Sequence, residues 1–312
     1  MNAGLQEGLV ILDGGLATGL EARGCDISGP LWSARVLRTA PEAIEQLHYD
    51  YYTAGASVAI TSSYQASYEG FGKIGLDEAE TTSLLRRSVE LAQSARERYR
   101  RDHPANRREL WVAASIGPYG AISHDGAEYR GDYGLSVADL VEFHARRFAV
   151  LANSGADFLA CETIPALDEA RALAILLAQH AESRAWLSFT SPDGIRTSHG
   201  ELLTDCARLA DSAPGVFAVG VNCVRAEIVG DAICSLKSGT GKPIVVYPNS
   251  GETWNAGSES WHGTAGHAGL AALAPAWVAA GARLVGGCCR VGPGEIKALD
   301  AALSRVQGAN AG

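Results

Sequence analysis

Short apolar runs rich in β-branched residues recur along the whole chain, at 9–13, 58–63, 111–118, 157–163, 185–191, 216–223, 243–249 and 283–289. Between them lie amphipathic stretches with Ala, Leu, Glu and Arg at helical spacing, as in 136–153 and 167–181. Strands that alternate with helices predict a parallel sheet. A weak internal repeat supports this: Ala54-Gly55-Ala56, Ser154-Gly155-Ala156 and Ala280-Gly281-Ala282 each precede a strand. The glycine reads as a helix C-cap, the position that needs a left-handed turn into the next strand. Eight such units match an α/β fold of the (β/α)8 TIM-barrel type better than an open sheet. A nine-strand doubly wound sheet is the alternative. No Pro/Ser-rich linker or composition break separates the units, so residues 1–312 read as a single domain. The longest loops, 119–135, 192–200 and 250–266, all follow predicted strands, on the face where barrels carry their active sites.

Composition narrows the class. The chain has 312 residues, 47% hydrophobic and 20% charged, which suits an ordinary globular core. With 26 basic and 35 acidic residues the net charge is 26 − 35 = −9, and no basic block offers support for nucleic-acid binding. No apolar run approaches the ~18–20 residues of a membrane helix. The first eight residues lack a charged n-region and an apolar h-region, so no signal peptide is expected. Seven cysteines, an odd number, do not form a disulfide framework and fit a cytoplasmic, reducing location.

The densest chemistry is Gly286-Gly287-Cys288-Cys289-Arg290. Neighbouring side chains in a strand point to opposite faces, so both thiols reach one centre only where the strand has ended or bent. The glycine pair permits that bend. Cys223 closes another apolar run. If the two strand ends are neighbours, three thiols converge on a site for a soft metal, with zinc the best candidate. A vicinal disulfide is the competing redox form, but adjacent residues make a strained ring. No zinc-finger spacing occurs. Cys25, Cys161, Cys206 and Cys234 read as packing or surface thiols.

In a barrel the C-terminal strand ends surround one mouth. Here they add Asp13-Gly14-Gly15, Cys161-Glu162-Thr163 and Asn222-Cys223 to the cysteine pair, so two carboxylates join three candidate thiolates. Such a mouth attracts cations, and a cationic, sulfur-reactive substrate suits it. His262 and His267, in a glycine-rich loop, read as structural. Gly239-Thr240-Gly241-Lys242 fails as a phosphate loop because Pro243 replaces Ser/Thr and the upstream glycine is missing.

The motifs Asp13-Gly14-Gly15, Cys161-Glu162-Thr163, Gly220-Val221-Asn222-Cys223 and Gly286-Gly287-Cys288-Cys289-Arg290 together resemble the zinc-dependent homocysteine S-methyltransferases, over about residues 8–305. The stretches Ser63-Tyr64-Gln65-Ala66, Glu128-Tyr129-Arg130-Gly131-Asp132-Tyr133 and Val246-Tyr247-Pro248-Asn249-Ser250 are similar to the S-methylmethionine-using branch. The resemblance implies that Cys223, Cys288 and Cys289 bind Zn2+ and leave one position for the homocysteine thiol. It implies that Asp13 and Glu162 hold the homocysteine ammonium, with Gly14 and Asn222 in the binding site. It further implies a sulfonium methyl donor, S-methylmethionine or S-adenosylmethionine, since the cobalamin domains of methionine synthase and the extended C-terminal region of betaine-using relatives are missing. Tyr64, Trp254 and Trp32 are the candidates for facing the sulfonium. Two other classes use the same thiols: a zinc-binding or redox-sensing protein, and a zinc hydrolase, which usually carries histidine ligands.

Overall fold

The computed structural model describes residues 8–27, 32–122, 126–251, 253–255, 260–262 and 269–310. Eight parallel strands form one sheet: β1 (Val10–Ile11), β2 (Val58–Ile60), β3 (Trp111–Ile116), β4 (Phe158–Ile164), β5 (Ala185–Phe189), β6 (Val216–Asn222), β7 (Ile244–Tyr247) and, after a small antiparallel hairpin of β8 (Thr253–Asn255) and β9 (Ser260–His262), β10 (Ala282–Val285). The order around the sheet is β1-β10-β7-β6-β5-β4-β3-β2. Leu12, just past β1, bridges Val58 of β2 in parallel and closes the ring. Closure decides for the barrel against the open doubly wound sheet.

Helices connect successive barrel strands, and the glycines that end three of them adopt the left-handed conformation their sequence context requires. Gly55, Gly155 and Gly281 have φ of 118°, 80° and 123°. Outside the strands, an apolar layer including Leu159, Cys161, Leu187 and Val219 packs against the helices. Inside the barrel sits a second cluster with Val10, Leu12, Val58, Ile60, Ala113, Phe158, Ala160, Trp186, Ala218, Val245, Tyr247 and Leu284. Along β1, β2, β4 and β7 these inner residues recur at every second position, as the two-residue period of a strand demands; on β6 Phe217 joins Ala218 inside, where the register with β5 shifts.

That parity carries directly to the mouth. Continuing the inward series of β4 past Phe158 and Ala160 gives Glu162; continuing β3 past Ala113 gives Ser115. Two expectations need adjusting. The last strand stops at Val285 rather than running to 289, because the glycine pair leaves the sheet. The expected loop 250–266 contains the β8–β9 hairpin, whose strands of three residues, each with a single tryptophan between polar residues, are too short to form an apolar run.

A candidate metal and substrate site at the barrel mouth

The three cysteines meet. The Sγ atoms of Cys223, Cys288 and Cys289 lie within 4.8 Å of one another, with Cys223 and Cys289 3.6 Å apart. Two thiolates on one tetrahedral zinc at ~2.3 Å would stand about 3.8 Å apart, so the spacing fits that ion. By strand parity Cys223, next to the inward Asn222, should point outward. Its φ of 54° reverses that direction, a conformation uncommon for a side chain with Cβ. Its amide donates to Tyr247 O at 3.2 Å, which ties the turn to β7.

The pair is held by the neighbouring strand ends. Gly287 N donates to Asp13 O at 3.0 Å and Cys288 N to Pro248 O at 2.8 Å. Cys289 N donates to Asn249 Oδ1 at 3.1 Å. Glycine at 14 and 15 lets this segment approach the end of β1: a Cβ at Gly14 would lie 2.2 Å from Val291 O, and one at Gly15 2.6 Å from Cys288 O. Cys288 and Cys289 lie within hydrogen-bonding reach of the Cys223 sulfur. Those contacts hold the Cys223 thiol well below its usual range and push Cys288 and Cys289 up.

Beside the sulfurs lies a cavity lined by Gly14, Tyr64, Glu128, Tyr129, Glu162, Thr163, Tyr247 and the three cysteines, among others. No Lys, Arg or His is among its described lining residues. Glu162 forms part of its floor. Ser115 Oγ donates to its Oε1, and the Tyr247 hydroxyl, which accepts from Trp186 Nε1 at 3.0 Å, donates to it as well. Burial pushes Glu162 up to about 7 in spite of those two donors, and the charge of Cys223 adds to the rise. Asp13 lies behind the cavity wall. Its Oδ2 accepts from Ile60 N at 2.8 Å, while Oδ1 is buried without a hydrogen-bond partner among the described residues. Burial holds Asp13 well above the usual carboxylate range, and the Glu162 charge raises it further. Two acids that burial and mutual repulsion keep from ionising are a receptor for a cation.

Asn222 is fully buried and does not line the cavity. Its Oδ1 accepts from Thr163 N and its Nδ2 donates to Thr163 Oγ1, both at 2.8 Å. It thereby holds Thr163, at φ 61°, against the cavity. Tyr64 lines the cavity. The side chains of Trp32, Trp254 and His262, and all of His267, lie outside the described residues. Cys161 and Cys206 are buried in the outer core, Cys25 is half-buried and Cys234 exposed, all four apart from the cluster.

Sequence reasoning assigned no role to Glu128 or Tyr129, on a short 3-10 turn, Ala127–Tyr129, in the loop after β3. The Tyr129 hydroxyl lies 3.1 Å from Cys223 Sγ. Sequence reasoning also missed what anchors that loop. His144 and Arg147, on the helix Val137–Ala152, and Glu169, on the helix Leu167–Ala178, are buried together. Arg147 donates to Gly117 O and, at 2.8 Å, to His144 Nδ1. That fixes the tautomer, leaving His144 Nε2–H to donate to Glu169 Oε1 at 2.9 Å. The same oxygen accepts from Tyr119 N at 2.6 Å. The first residues of the segment leaving β3, Gly117 and Tyr119, are therefore gripped by buried charge. Removing one partner of such a network leaves an uncompensated charge, so Arg147→Met should lower stability by ~3–5 kcal/mol in urea denaturation. A loss below about 1 kcal/mol would show that the network contributes little.

A closed parallel barrel with three converging thiols and a buried acid pair at its C-terminal mouth defines a barrel enzyme with a soft-metal site. The family model for homocysteine S-methyltransferase matches residues 10–303, and the chain belongs to that family. It is 50% identical over 297 residues to homocysteine S-methyltransferase of Escherichia coli (strain K12), covering 95% of this chain and 96% of that protein. It is 46% identical over 295 residues to homocysteine S-methyltransferase YbgG of Bacillus subtilis (strain 168), covering 94% of each. The metallated form of the Escherichia coli homocysteine methyltransferase MmuM superposes with a TM-score of 0.86 at 47% identity, over 95% of this chain and 96% of that one.

Proposed function

We propose that the protein moves a methyl group from a sulfonium donor to the thiol of homocysteine, forming methionine, with zinc held by Cys223, Cys288 and Cys289. The observation that carries this reading is the convergence of three thiols in the same cavity as Glu162, within a chain of this family. Zinc at these sulfurs supplies one thing: it keeps a coordinated thiol deprotonated at neutral pH, where a free thiol of pKa about 8.5 is mostly protonated.

The chain's own residues do the rest. Glu162 meets the homocysteine ammonium in the cavity and Asp13, behind the wall, adds its negative charge, so the bound cation relieves their mutual repulsion and the cost of their burial. Ser115 and Tyr247 fix the Glu162 carboxyl, so the amino acid is oriented as well as bound. Gly14 brings the end of β1 against the cysteine segment, and Asn222 positions Thr163. In the transfer one carbon–sulfur bond forms to homocysteine as another breaks in the donor, whose bonding pair stays on a neutral thioether. No acid or base is consumed by that leaving group, so the protein contributes mainly proximity and alignment.

A single domain over residues 1–312 is supported by a ring whose strands run from residue 10 to residue 285. Among the described residues no helix is long and apolar enough to cross a membrane, and free thiols at the site support a cytoplasmic location.

Purified protein is expected to hold about one zinc per chain, bound by three sulfurs at ~2.3 Å, and to form methionine from homocysteine and S-methylmethionine. A nitrogen-rich shell in X-ray absorption sinks the metal assignment. Zinc without turnover points to a binding protein instead.

A further inference from the structure

Resting on that reading of the activity, we propose that Arg147 is a positioning residue for the methyl donor: from outside the cavity it sets, through Gly117, the place of the Tyr64 ring. The transfer itself gives Arg147 no part, yet its side chain is almost fully withdrawn from water, 1% exposed, on the helix Val137–Ala152. Apolar packing of similar volume holds helices together at least as well as a buried ion network in many proteins. What the network adds is direction. Arg147 Nη2 donates to Gly117 O, and Gly117 is the first residue past β3, where the sheet ladder has ended.

Gly117 carries that direction to the cavity. A Cβ there would lie 2.5 Å from Tyr64 O and 2.7 Å from two carbons of its ring, so the backbone touches Tyr64 with no side chain between them. Tyr64 lines the cavity beside the sulfurs. The other aromatic residues described in that lining have tasks of their own: Tyr247 bonds to Glu162 on the floor, and the Tyr129 hydroxyl lies 3.1 Å from Cys223 Sγ. A trialkyl sulfonium has no N–H or O–H to donate, so an aromatic face suits it, and the Tyr64 ring supplies one. The partners of Arg147 brace the same segment a second time. His144 accepts from Arg147 at 2.8 Å and donates to Glu169 Oε1 at 2.9 Å, and that oxygen accepts from Tyr119 N at 2.6 Å. Gly117 thus has one fixed position, as alignment of two sulfurs about one methyl group requires. Glu162, which meets the acceptor, is fixed by Ser115 and Tyr247 instead.

The test compares zinc-loaded wild-type protein with Arg147→Met, Arg147→Lys and Phe148→Leu. Phe148 is fully buried on the same helix and belongs to the outer core, so its change costs packing without touching Gly117. Arg147→Met is expected to raise the KM for S-methylmethionine about ten-fold, as loss of one aromatic contact to a cation would, with the homocysteine KM within about two-fold. Arg147→Lys should recover part of the loss. Phe148→Leu should leave both constants within about two-fold, however far it lowers the urea midpoint. In a Tyr64→Leu background Arg147→Met should change the donor KM by less than about two-fold, because its effect runs through that ring. Fluorine NMR of fluorotyrosine-labelled protein, with Tyr64 assigned through Tyr64→Phe, reads the ring without turnover. Its resonance should shift or broaden in Arg147→Met and stay in place in Phe148→Leu. If Arg147→Met does not fold, Arg147→Lys and Gly117→Ala carry the same comparisons, the latter because its added Cβ presses on Tyr64 directly. A Tyr64 resonance that the Arg147 variants leave unmoved overturns the proposal. So does an unchanged donor KM, or a rise confined to the homocysteine KM. Failure of the wild-type protein to make methionine refutes the activity instead, and the Tyr64 resonance still decides whether Arg147 positions that ring.

Discussion

Cys289→Ala is expected to abolish methyl transfer and leave the barrel folded. Cys289 lies on the segment beyond β10, after the strand has left the sheet, and belongs to neither apolar core. Its sulfur contributes to the cluster, 3.6 Å from Cys223 Sγ, and its loss leaves two thiols to hold the metal. Zinc affinity should fall sharply, and with it the deprotonation of the acceptor thiol. A loss of several kcal/mol of activation corresponds to a rate lower by ~10³-fold or more. Cys206→Ala is the contrast. Cys206 is fully buried in the outer core on the helix Leu203–Ser212 and lies outside the sulfur cluster. That change should cost on the order of 1 kcal/mol in packing and leave zinc and turnover intact. Zinc analysis, circular dichroism and initial rates on both variants decide the matter. Wild-type turnover in Cys289→Ala, or zinc loss in Cys206→Ala, would place the metal elsewhere.

Glu162→Gln should raise the homocysteine KM far more than it lowers kcat. The amide preserves the shape of the carboxyl group and can still accept from Ser115 and Tyr247, so the floor of the cavity should persist. What disappears is the charge that meets the ammonium. A desolvated charge pair broken on one side loses roughly 2–5 kcal/mol, or ~30-fold to several thousand-fold in affinity. Asp13, whose buried Oδ1 lacks a hydrogen-bond partner among the described residues, remains as a second acid, so the lower part of that range is expected. Steady-state kinetics at saturating donor measure the effect directly. An unchanged homocysteine KM would remove Glu162 from the amino-acid subsite.

The residues that sequence reasoning placed and those it missed divide along a physical line. Glu162 was legible because it ends an apolar run, and a carboxylate there has no core role. The Cys288–Cys289 pair was legible because two adjacent thiols after two glycines fill no strand face. Asn222 stood out for the same reason, but the fold uses it to grip Thr163 rather than to line the cavity. Asp13 was read as facing the ligand; it is tied to Ile60 N behind the cavity wall. Glu128 and Tyr129 are legible only through the stretch 128–133 that is similar to the S-methylmethionine-using branch; in a polar loop an acid and an aromatic have many ordinary uses, so the residues alone assign them no role. His144, Arg147 and Glu169 were hidden on amphipathic helices, because helical periodicity does not show what a buried polar position faces.

By itself the sequence determined the alternation of strand and helix, the left-handed helix ends at Gly55, Gly155 and Gly281, and the identity of the three thiols. These depend on local terms: side-chain period, glycine's freedom at positive φ, and the inability of a thiol pair to occupy one strand face. Tertiary structure alone decided closure of the ring through Leu12 and Val58, since an open sheet uses the same strands in the same sequence. It also decided the inward turn of Cys223, whose positive φ is held by its bond to Tyr247 O and offsets a cost no local preference would accept. The place of Tyr129 beside the sulfurs arises the same way: the buried charge network holds Gly117 and Tyr119, and the adjoining Gly120 packs so closely on the Glu128 turn that a Cβ there would lie 2.4 Å from Glu128 N.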